Sequence, residues 1–470
     1  MRVLVAVASY GTGNDAYLRQ LVNEYRSMPH DVDIVVLSNL AKELGPGVEV
    51  VVGLPSKNPR SLPFAHKRFF AERLNNYDLF VYSEDDILIT EKNIQAFLRA
   101  SDVLPEDEIA GFLRYEVNQD GGIYLSDALG FFHWDPDSVR ARGDQTYAFF
   151  TNEHAACYIL TRPQLQRAIA SGGFLVAPYE GKYDMLCTAA TDPYTQCGFK
   201  KLICISHLDE FLVHHLSNKY IGKYSLPRAD FRTQIEALLK TADNGSSQTL
   251  FETETRLPRL IYSKVFYEPV REDVVSLIPG GVRSVLSIGC GWGAMEEYLA
   301  KRGLRVAAVP MDPVIGACAE ARGVRTVYGD LDSVPKKIAN ERFDCLLMSN
   351  VLHLVADPLN VLSSFAPLLS DDSTVIAMVP NLSRAPVLWG RIRGDRRFKD
   401  LGRYNKTRVN LTSHKILRNW FESAGMRIER VIDVFPESVR GVGRLTLGLV
   451  AQWLSSEIVV VARTNLNRHH

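Results

Sequence analysis

The stretch Ser284-Val285-Leu286-Ser287-Ile288-Gly289-Cys290-Gly291-Trp292-Gly293 joins an apolar run to a turn with three alternating glycines. The apolar run predicts a buried strand, and the residues that follow, through Ala300, predict a helix. Glycine is needed where a turn is tight and where the backbone must approach a ligand closely. The stretch therefore predicts the start of a nucleotide-binding α/β unit, although its glycine pattern alone also suits a dinucleotide-binding fold.

Several further landmarks follow this turn in a fixed order. They are predicted strands and turns at 306–309, 327–331, 343–353, 374–381 and 408–412, a helix ending near Gly425, and strands at 427–435 and 458–462. In this order the chain resembles the class I S-adenosylmethionine methyltransferases over residues 265–463. The resemblance implies a Rossmann-like fold and S-adenosylmethionine as cofactor.

The resemblance also implies a set of site residues in this domain. The cofactor-binding candidates are Ser287, Gly289, Gly291, Gly293, Asp312, Asp330 and Asn350. Two positions depart from the family pattern, because Ser287 and Pro310 stand where the family usually has acids, and Asp312 is the nearest substitute for the second. His353 is a candidate base for a sugar hydroxyl or a buried, hydrogen-bonded histidine. The departures leave two alternatives, a divergent active enzyme and a degenerate domain used for binding or scaffolding.

A second organising stretch lies far upstream, where the run Phe80-Val81-Tyr82-Ser83 ends in Glu84-Asp85-Asp86. The run predicts a central strand, and acids at its end must contact something that offsets their desolvation. A divalent cation that carries a phosphate is one such group, since hard cations take carboxylate oxygens. A solvated turn is the alternative interpretation.

With the strand at 3–8, the small-residue turn after it and the helix start near Thr90, this region resembles the GT-A nucleotide-sugar glycosyltransferases. The resemblance implies a mixed sheet with flanking helices over residues 1–240. It assigns a metal, Mn²⁺ or Mg²⁺, to Asp86 and to His214 or His215. The nucleotide-sugar candidates are Ala8, Tyr10, Lys67, Arg68 and Asp85. For the two cations, a role in neutralising the diphosphate competes with a solvated helix face.

Two acids later in this region are candidates for a general base that activates an acceptor hydroxyl. They are Glu180 and Asp184, and the second stands at the start of a predicted helix over 185–190. If a sugar hydroxyl is the nucleophile, one of these carboxylates would accept its proton. Asp184 is equally well suited to cap the helix, because aspartate is a favoured N-cap residue.

Composition limits the remaining possibilities. The chain has 470 residues, 54 basic and 54 acidic side chains, and 7 cysteines without metal-binding spacing. Zero net charge argues against bulk nucleic-acid binding, and the cysteine pattern argues against a disulfide framework. We expect a cytoplasmic protein without a signal peptide or membrane span. The basic stretch 384–408 predicts either a solvated lid or contact with a phosphate-bearing lipid or membrane surface.

The sequence therefore predicts an α/β protein of two domains, with a linker at 241–264 and a tail at 464–470. The predicted function is bifunctional: sugar transfer from a nucleotide-sugar to a glycan or glycolipid acceptor, and methylation of a sugar hydroxyl, in bacterial surface polysaccharide synthesis. The first alternative is a glycosyltransferase whose second domain only binds or positions partners. The second is a non-catalytic glycan-binding protein. Peripheral contact with the inner face of the membrane is part of the same prediction.

Overall fold

The computed structural model describes residues 1–222, 225–244, 249–436 and 451–464. The chain divides into two compact units, Met1–Gly245 and Ser246–His470. Each unit has its own hydrophobic core. Among the described residues, no helix combines the length and the apolar character needed to cross a bilayer.

The N-terminal unit contains fourteen described strands and six described α-helices. The strands are β1 (Arg2–Ser9), β2 (Asp31–Ser38), β3 (Val48–Val52), β4 (Leu79–Glu84), β5 (Ile87–Leu88), β6 (Glu108–Ala110), β7 (Leu113–Val117), β8 (Ile123–Leu125), β9 (Trp134–Arg142), β10 (Gln145–Phe150), β11 (Cys157–Thr161), β12 (Lys200–Cys204), β13 (Leu212–His215) and β14 (Leu226–Pro227). The helices are α1 (Asp15–Ser27), α2 (Ala65–Glu72), α3 (Glu91–Val103), α4 (Arg162–Ala170), α5 (Met185–Thr195) and α6 (Arg228–Asn244). A short 3₁₀ helix, Pro59–Phe64, precedes α2.

The main sheet of this unit has the order β11-β4-β1-β2-β3. β1 pairs in parallel with both β2 and β4, β3 continues the parallel part, and β11 is antiparallel to β4. β1 is buried from Val3 to Ser9, as expected for a central strand covered on both faces. Because the carboxyl ends of parallel strands meet at one edge, the turn after β1 and the acids after β4 lie side by side.

Two smaller sheets complete the N-terminal unit, with orders β6-β12-β10-β9 and β14-β8-β7-β13-β5. In the second of these, β13 pairs with β5, and His215 is the register partner of Ile87. β5 begins directly after Asp86. This pairing brings the end of β13 to the acidic turn, although the two segments are far apart in sequence.

The C-terminal unit contains seven described strands. They are β15 (Ser284–Cys290), β16 (Arg305–Pro310), β17 (Arg325–Thr326), β18 (Phe343–Ser349), β19 (Leu369–Pro380), β20 (Met426–Val434) and β21 (Glu457–Thr464). The described helices are α7 (Glu272–Val275), α8 (Ala294–Lys301), α9 (Pro313–Ala321), α10 (Val334–Lys337), α11 (Pro358–Phe365), α12 (Ala385–Ile392), α13 (Tyr404–Thr407), α14 (His414–Ser423) and α15 (Ala451–Leu454). The segment 327–331 has neither helix nor strand, and the two-residue strand β17 comes directly before it.

These seven strands form one sheet of order β17-β16-β15-β18-β19-β21-β20. The pairs on either side of β15 are parallel, and β21 is antiparallel to both of its neighbours. The strand order reverses between β15 and β18. Ligands of such sheets bind beside the carboxyl ends of the strands at a reversal of this kind, and we call this edge of the sheet the crevice. The α/β class with a Rossmann-like C-terminal region is thereby confirmed.

The predicted linker at 241–264 differs from the structure. Residues 241–244 belong to α6, residues 245–248 lie outside the described part, and residues 249–264 are folded into the C-terminal unit. The Leu250 amide donates to the Met311 carbonyl at 2.8 Å, and Leu250 and Leu257 are buried in apolar clusters. The segment is mostly polar, but its few apolar side chains are buried in the C-terminal unit. The linker is therefore shorter than the composition of the segment predicted. Of the predicted tail, residues 465–470 lie outside the described part.

Candidate functional site

The acidic turn of the N-terminal unit is held by hydrogen bonds from the turn after β1. Ser9 Oγ donates to Asp85 Oδ2 at 2.6 Å, and Asn14 Nδ2 donates to Asp85 Oδ1 at 2.7 Å. Burial raises the pKa of Asp85, although these two donors act against that shift. Asp85 is thus fixed at the point where β1 and β4 end.

A cavity of about 310 Å³ opens beside this turn. Its lining includes Ala8, Tyr10 and Asp85, three of the five predicted nucleotide-sugar residues. It also includes residues that the sequence analysis did not select: Asn14, Pro59, Arg60, Leu62, Pro63, Glu84 and Leu186. Arg60 is the basic side chain at this cavity, and its side chain is 58% exposed. No local pattern marked Arg60, because it stands in a proline-rich segment that predicts a loop, whereas the structure forms the 3₁₀ helix Pro59–Phe64 there.

The two cations predicted to face a diphosphate lie elsewhere, so this prediction is corrected. Lys67 is buried and pairs with the buried carboxylate of Asp192. Arg68 is exposed and pairs with Glu72 one helical turn further on. Helix α2 places both side chains away from the cavity lining, and the charge of Lys67 is already neutralised inside the protein.

Asp86 contacts His215 in a buried chain of polar groups. His215 Nε2 lies 3.1 Å from Asp86 Oδ2, and His215 Nδ1 lies 2.6 Å from Glu116 Oε1. Burial alone would raise the pKa of Asp86, but the hydrogen bond and charge of His215, with Lys219 nearby, lower it. Burial would lower the pKa of His215, but hydrogen bonds to Asp86 and Glu116 raise it.

The contacts of Asp86, His215 and Glu116 can be compared with those that a divalent cation requires. A carboxylate on one ring nitrogen of a histidine, with the other nitrogen directed toward a site, is the usual support for a histidine metal ligand. Glu116 and His215 have this arrangement relative to Asp86. However, no group of three or more His, Cys, Asp or Glu side chains in the described ranges is placed to hold a metal. The fit therefore extends to two protein ligands.

His214, the other predicted ligand, is not brought to Asp86, so this part of the prediction is corrected. Its ring stacks on Tyr115 with centroids 4.7 Å apart, and it lines a different cavity of about 290 Å³. Successive side chains of a strand point to opposite faces, which separates His214 from His215. The adjacent pair could not reveal this from sequence, because the register of β13 depends on β5 and β7.

Glu84, the first acid of the turn, is buried, and its Oε1 atom has no hydrogen-bond partner among the described residues. Burial and, after it, the charge of Asp86 raise the pKa of Glu84 to about 8. Its carboxyl group is therefore protonated at neutral pH. Glu84 lines the cavity and adds a neutral hydrogen-bonding group there.

Of the two candidate bases, Asp184 lies at the rim of this region. It is the N-cap of α5 and accepts a hydrogen bond from the Cys187 amide at 3.1 Å, while Arg60 Nη1 lies 3.9 Å from its Oδ2 atom. The capping alternative is thus realised in the structure. Glu180 is exposed and precedes the helix.

In the C-terminal unit, the glycine turn lies at the crevice between β15 and β18. Gly289 and Gly293 have φ values of +78° and +86°, which only glycine adopts readily. A Cβ atom at Gly289 would lie 2.3 Å from Val351 Cγ2, and one at Gly293 would lie 2.6 Å from Ala319. The turn is thus close-packed against its own domain as well as sharply bent.

The segment before β15 crosses the same crevice. The Phe266 carbonyl accepts a hydrogen bond from the Trp292 amide at 3.0 Å, and Trp292 Nε1 donates to the Glu268 carbonyl at 2.7 Å. We call residues 249–268 the strap. A Cβ atom at Gly291 would lie 2.0 Å from the Phe266 carbonyl oxygen. The strap therefore requires a glycine at 291, and the role of Gly291 in cofactor binding stays a prediction.

The strap also places charged groups at the end of β18. Glu268 accepts hydrogen bonds from Ser349 Oγ at 2.7 Å, Asn350 Nδ2 at 3.1 Å and Lys264 Nζ at 3.0 Å. Lys264 is fully buried, whereas the Glu268 side chain keeps 22% exposure. Asn350 has φ +53°. Asn350 is among the residues predicted from the sequence, whereas Glu268 is not, because the partners of Glu268 come from a distant strand.

The predicted acids of this domain have mixed outcomes. Asp312 is buried as the N-cap of α9, with Oδ1 accepting from the Val314 and Ile315 amides, and its role as a ribose ligand in place of Pro310 stays a prediction. Asp330 stays exposed at the turn after β17. Ser287 Oγ donates a hydrogen bond to the buried Glu296 carboxylate at 2.6 Å. Glu296 thus places a carboxylate beside Ser287, the position at which the family usually has an acid.

His353 is the buried, hydrogen-bonded histidine of the second alternative. Its Nε2 atom lies 2.9 Å from the Tyr262 carbonyl oxygen, so this nitrogen carries the proton and donates. Burial lowers the pKa of His353 to about 4. Its Nδ1 atom is buried and has no hydrogen-bond partner among the described residues, so it is the nitrogen that would accept a proton, and the role of His353 as a base stays a prediction.

The methyltransferase domain family matches residues 248–431. A ubiquinone biosynthesis O-methyltransferase from Xylella fastidiosa is 25% identical over 184 residues, which are 38% of this chain and 75% of that protein. A protein of the same description from Cereibacter sphaeroides is 33% identical over 113 residues, 23% of this chain and 46% of the relative. The matched residues, 248–431, therefore resemble a methyltransferase domain, in agreement with the resemblance stated from the sequence.

Solved structures give a weaker likeness. An S-adenosylmethionine-dependent methyltransferase from Mesorhizobium loti shares 19% identity, with a TM-score of 0.31 over 41% of this chain and 96% of its own. A possible histamine N-methyltransferase from Thermotoga maritima shares 18%, with a TM-score of 0.30 over 41% of this chain and 86% of its own. These scores are too low to support an inference. The family match lies outside the N-terminal unit, whose GT-A resemblance stays a prediction.

Proposed function

We propose that the C-terminal domain transfers a methyl group from S-adenosylmethionine to a hydroxyl group. The observation that carries this proposal is the glycine turn 289–293 at the reversal of strand order between β15 and β18, within the matched methyltransferase domain. The names of the relatives, O-methyltransferases, favour a hydroxyl acceptor over a nitrogen acceptor. The acceptor class proposed from the rest of the chain is a sugar hydroxyl of a glycan or glycolipid.

Particular residues of the crevice would hold the cofactor. Asp330 and Asn350 stand at the ends of successive segments around the crevice, and Glu268 and Lys264 fix the geometry of Asn350. Bound S-adenosylmethionine supplies the electrophilic methyl group. The domain would orient the acceptor and exclude water, because the strap covers part of the turn, and His353 would remain the candidate base through its Nδ1 atom.

This function is tested by measuring the transfer of labelled methyl groups. The full chain is incubated with methyl-labelled S-adenosylmethionine and a glycan and glycolipid extract, and label in the extract is counted with the S-adenosylhomocysteine produced. We expect label and product in equal amounts. If the cofactor binds but no hydroxyl-bearing fraction is ever labelled, the domain is the binding or scaffolding module of the alternative.

A second function is proposed for the N-terminal unit: transfer of a sugar from a nucleotide-sugar to a glycan or glycolipid. The specific observation in its favour is Asp85 and Asp86 at the end of β4, beside a cavity that also contains Tyr10 and Arg60. In this proposal Asp86 and His215 bind Mn²⁺ or Mg²⁺, and the diphosphate supplies further oxygens. A nucleotide fits the mixed polar and apolar lining, and Arg60 would face its phosphates.

Metal-dependent hydrolysis of nucleotide-sugars tests this second function without knowledge of the acceptor. A panel of donors is incubated with the full chain and Mn²⁺, and release of nucleotide is measured. Release of one nucleotide with Mn²⁺ and none with chelator supports sugar transfer. No release, together with no metal-dependent nucleotide binding, would leave a glycan-binding module. Joining sugar transfer and methylation in one chain would raise the local concentration of the glycosylated product at the methylation site. Such coupling would serve bacterial surface polysaccharide synthesis.

A further inference from the structure

The segment 384–408 is strongly basic, although the net charge of the whole chain is zero. It contains nine Lys or Arg residues and two Asp residues. Asp395 pairs with Arg397, and Asp400 lies near Arg403 and Lys406. Arg408 pairs with Glu252 at 2.8 Å, whereas Arg391, Arg393, Arg396 and Lys399 form no ion pair with an acid among the residues that the structure describes. The segment therefore presents a basic surface.

Helix α12 within this segment leaves large apolar side chains in solvent. Trp389 is 55% exposed and Ile392 is 77% exposed, while Val387 anchors the helix in an apolar cluster. The spacing of Ala385, Trp389 and Ile392 by four and three residues puts them on one face. The guanidinium carbon of Arg393 lies 4.7 Å from the Trp389 ring centroid, so positive charge borders this face.

We infer that α12 and the basic turn after it form a peripheral binding surface for an anionic lipid membrane. Indole rings favour the boundary between headgroups and acyl chains, and a helix with an apolar face bordered by arginine lies in the plane of that boundary. The charge of the segment complements anionic headgroups. A nucleic acid would use the arginines but would gain little from Ile392, which favours the membrane as the partner.

The inference is independent of methyl or sugar transfer and follows from α12 and the basic turn after it. Of the two roles predicted for the segment 384–408, a solvated lid and contact with a membrane surface, it favours the second. It also places the acceptor of either proposed reaction on a lipid-linked molecule, since a peripheral enzyme meets its substrate at the surface to which it binds. That second consequence rests on the proposed functions, whereas membrane binding itself does not.

Co-sedimentation with vesicles tests the surface. The full chain is mixed with vesicles of phosphatidylcholine alone or of phosphatidylcholine with one third phosphatidylglycerol, and the bound fraction is measured. We expect binding to the anionic vesicles and at least tenfold weaker binding to the neutral ones. Each Lys or Arg near an anionic surface contributes about fivefold to partitioning, so Arg393→Gln/Arg396→Gln should weaken binding by about 25-fold.

The apolar face is tested with a matched control. Trp389→Ala/Ile392→Ser should weaken binding about tenfold or more, whereas Trp453→Ala, a change at a tryptophan that is 45% exposed elsewhere in the same unit, should leave it within twofold. Both variants change exposed side chains, and unaltered melting temperatures would show that they fold. Binding of the full chain to neither vesicle type, or equal binding by Trp389→Ala/Ile392→Ser, overturns the inference. Tighter binding to an RNA oligonucleotide than to vesicles, unchanged by Trp389→Ala/Ile392→Ser, would assign the surface to nucleic acid instead.

Discussion

The carbonyl oxygen of Phe266 occupies the space next to Gly291, so that a Cβ atom at this position would lie 2.0 Å from it. The same carbonyl accepts the hydrogen bond of the Trp292 amide. The glycine is thus required by the docking of the strap onto the turn. The strap, which precedes β15 in the chain, therefore packs directly against the glycine turn. This packing holds the turn within the folded domain.

Gly291→Ala should destabilise the C-terminal unit, because the new methyl group would collide with backbone that has no room to move. We expect a loss of about 2 to 3 kcal/mol in the free energy of unfolding. Gly280→Ala is the matched control, since a Cβ atom there meets nothing within 4 Å. Urea denaturation of both variants measures the effect. Equal stability of the two would show that the strap is not docked on the turn.

Glu84→Gln tests the protonated carboxyl group in the N-terminal cavity. The folded chain keeps the Glu84 proton to about pH 8, whereas the unfolded chain loses it near the ordinary value of 4.5. Between these values the folded state binds more protons, so its stability falls as pH rises. The variant lacks this cost, and its advantage over the wild type should grow from near zero at pH 4.5 to roughly 4 kcal/mol at pH 8.

The control for that comparison is Glu106→Gln, whose side chain is 95% exposed. It should show no such dependence between pH 4.5 and pH 8. The measurement is urea denaturation of all three proteins at several pH values. A Glu84→Gln advantage that stays constant or shrinks with rising pH would contradict the assignment of a neutral Glu84.

The adjacent histidines provide a matched pair for the metal. His215→Asn removes the nitrogen directed at Asp86, whereas His214→Asn changes a ring on the opposite face of β13. In calorimetric titrations of nucleotide-sugar with Mn²⁺, His215→Asn and Asp86→Asn should lose at least tenfold in affinity, and His214→Asn should stay within about threefold. Equal loss from both histidine variants, or none from either, would remove His215 from the site.

Asp184→Asn separates the catalytic role of Asp184 from its capping role. Asparagine caps helices as well as aspartate does, so the variant should fold with an unchanged melting temperature. If Asp184 is the base, turnover should fall about 100-fold or more while donor affinity changes little. Glu180→Gln is the companion variant for the other candidate. Full activity of Asp184→Asn would leave this residue as a cap alone.

Sequence reasoning succeeded where the information is local. The apolar run before Gly289 and the positive-φ glycines after it specify a strand and a sharp turn. It failed where partners are distant in sequence. Lys67 was expected at a phosphate because its partner, Asp192, lies 125 residues away, and Glu268 was missed because Ser349 and Asn350 are its partners. His214 and His215 looked equivalent until strand pairing placed them on opposite faces.

The most direct test of the central proposal is a calorimetric titration of the full chain with S-adenosylhomocysteine, the product form of the cofactor. A functional methyltransferase domain over residues 248–431 should bind one molecule per chain, with a saturable heat, and Asp330→Ala should weaken that binding while the fold is kept. Absence of any binding heat or thermal stabilisation up to millimolar S-adenosylhomocysteine would contradict it, and the C-terminal domain would then be a scaffold.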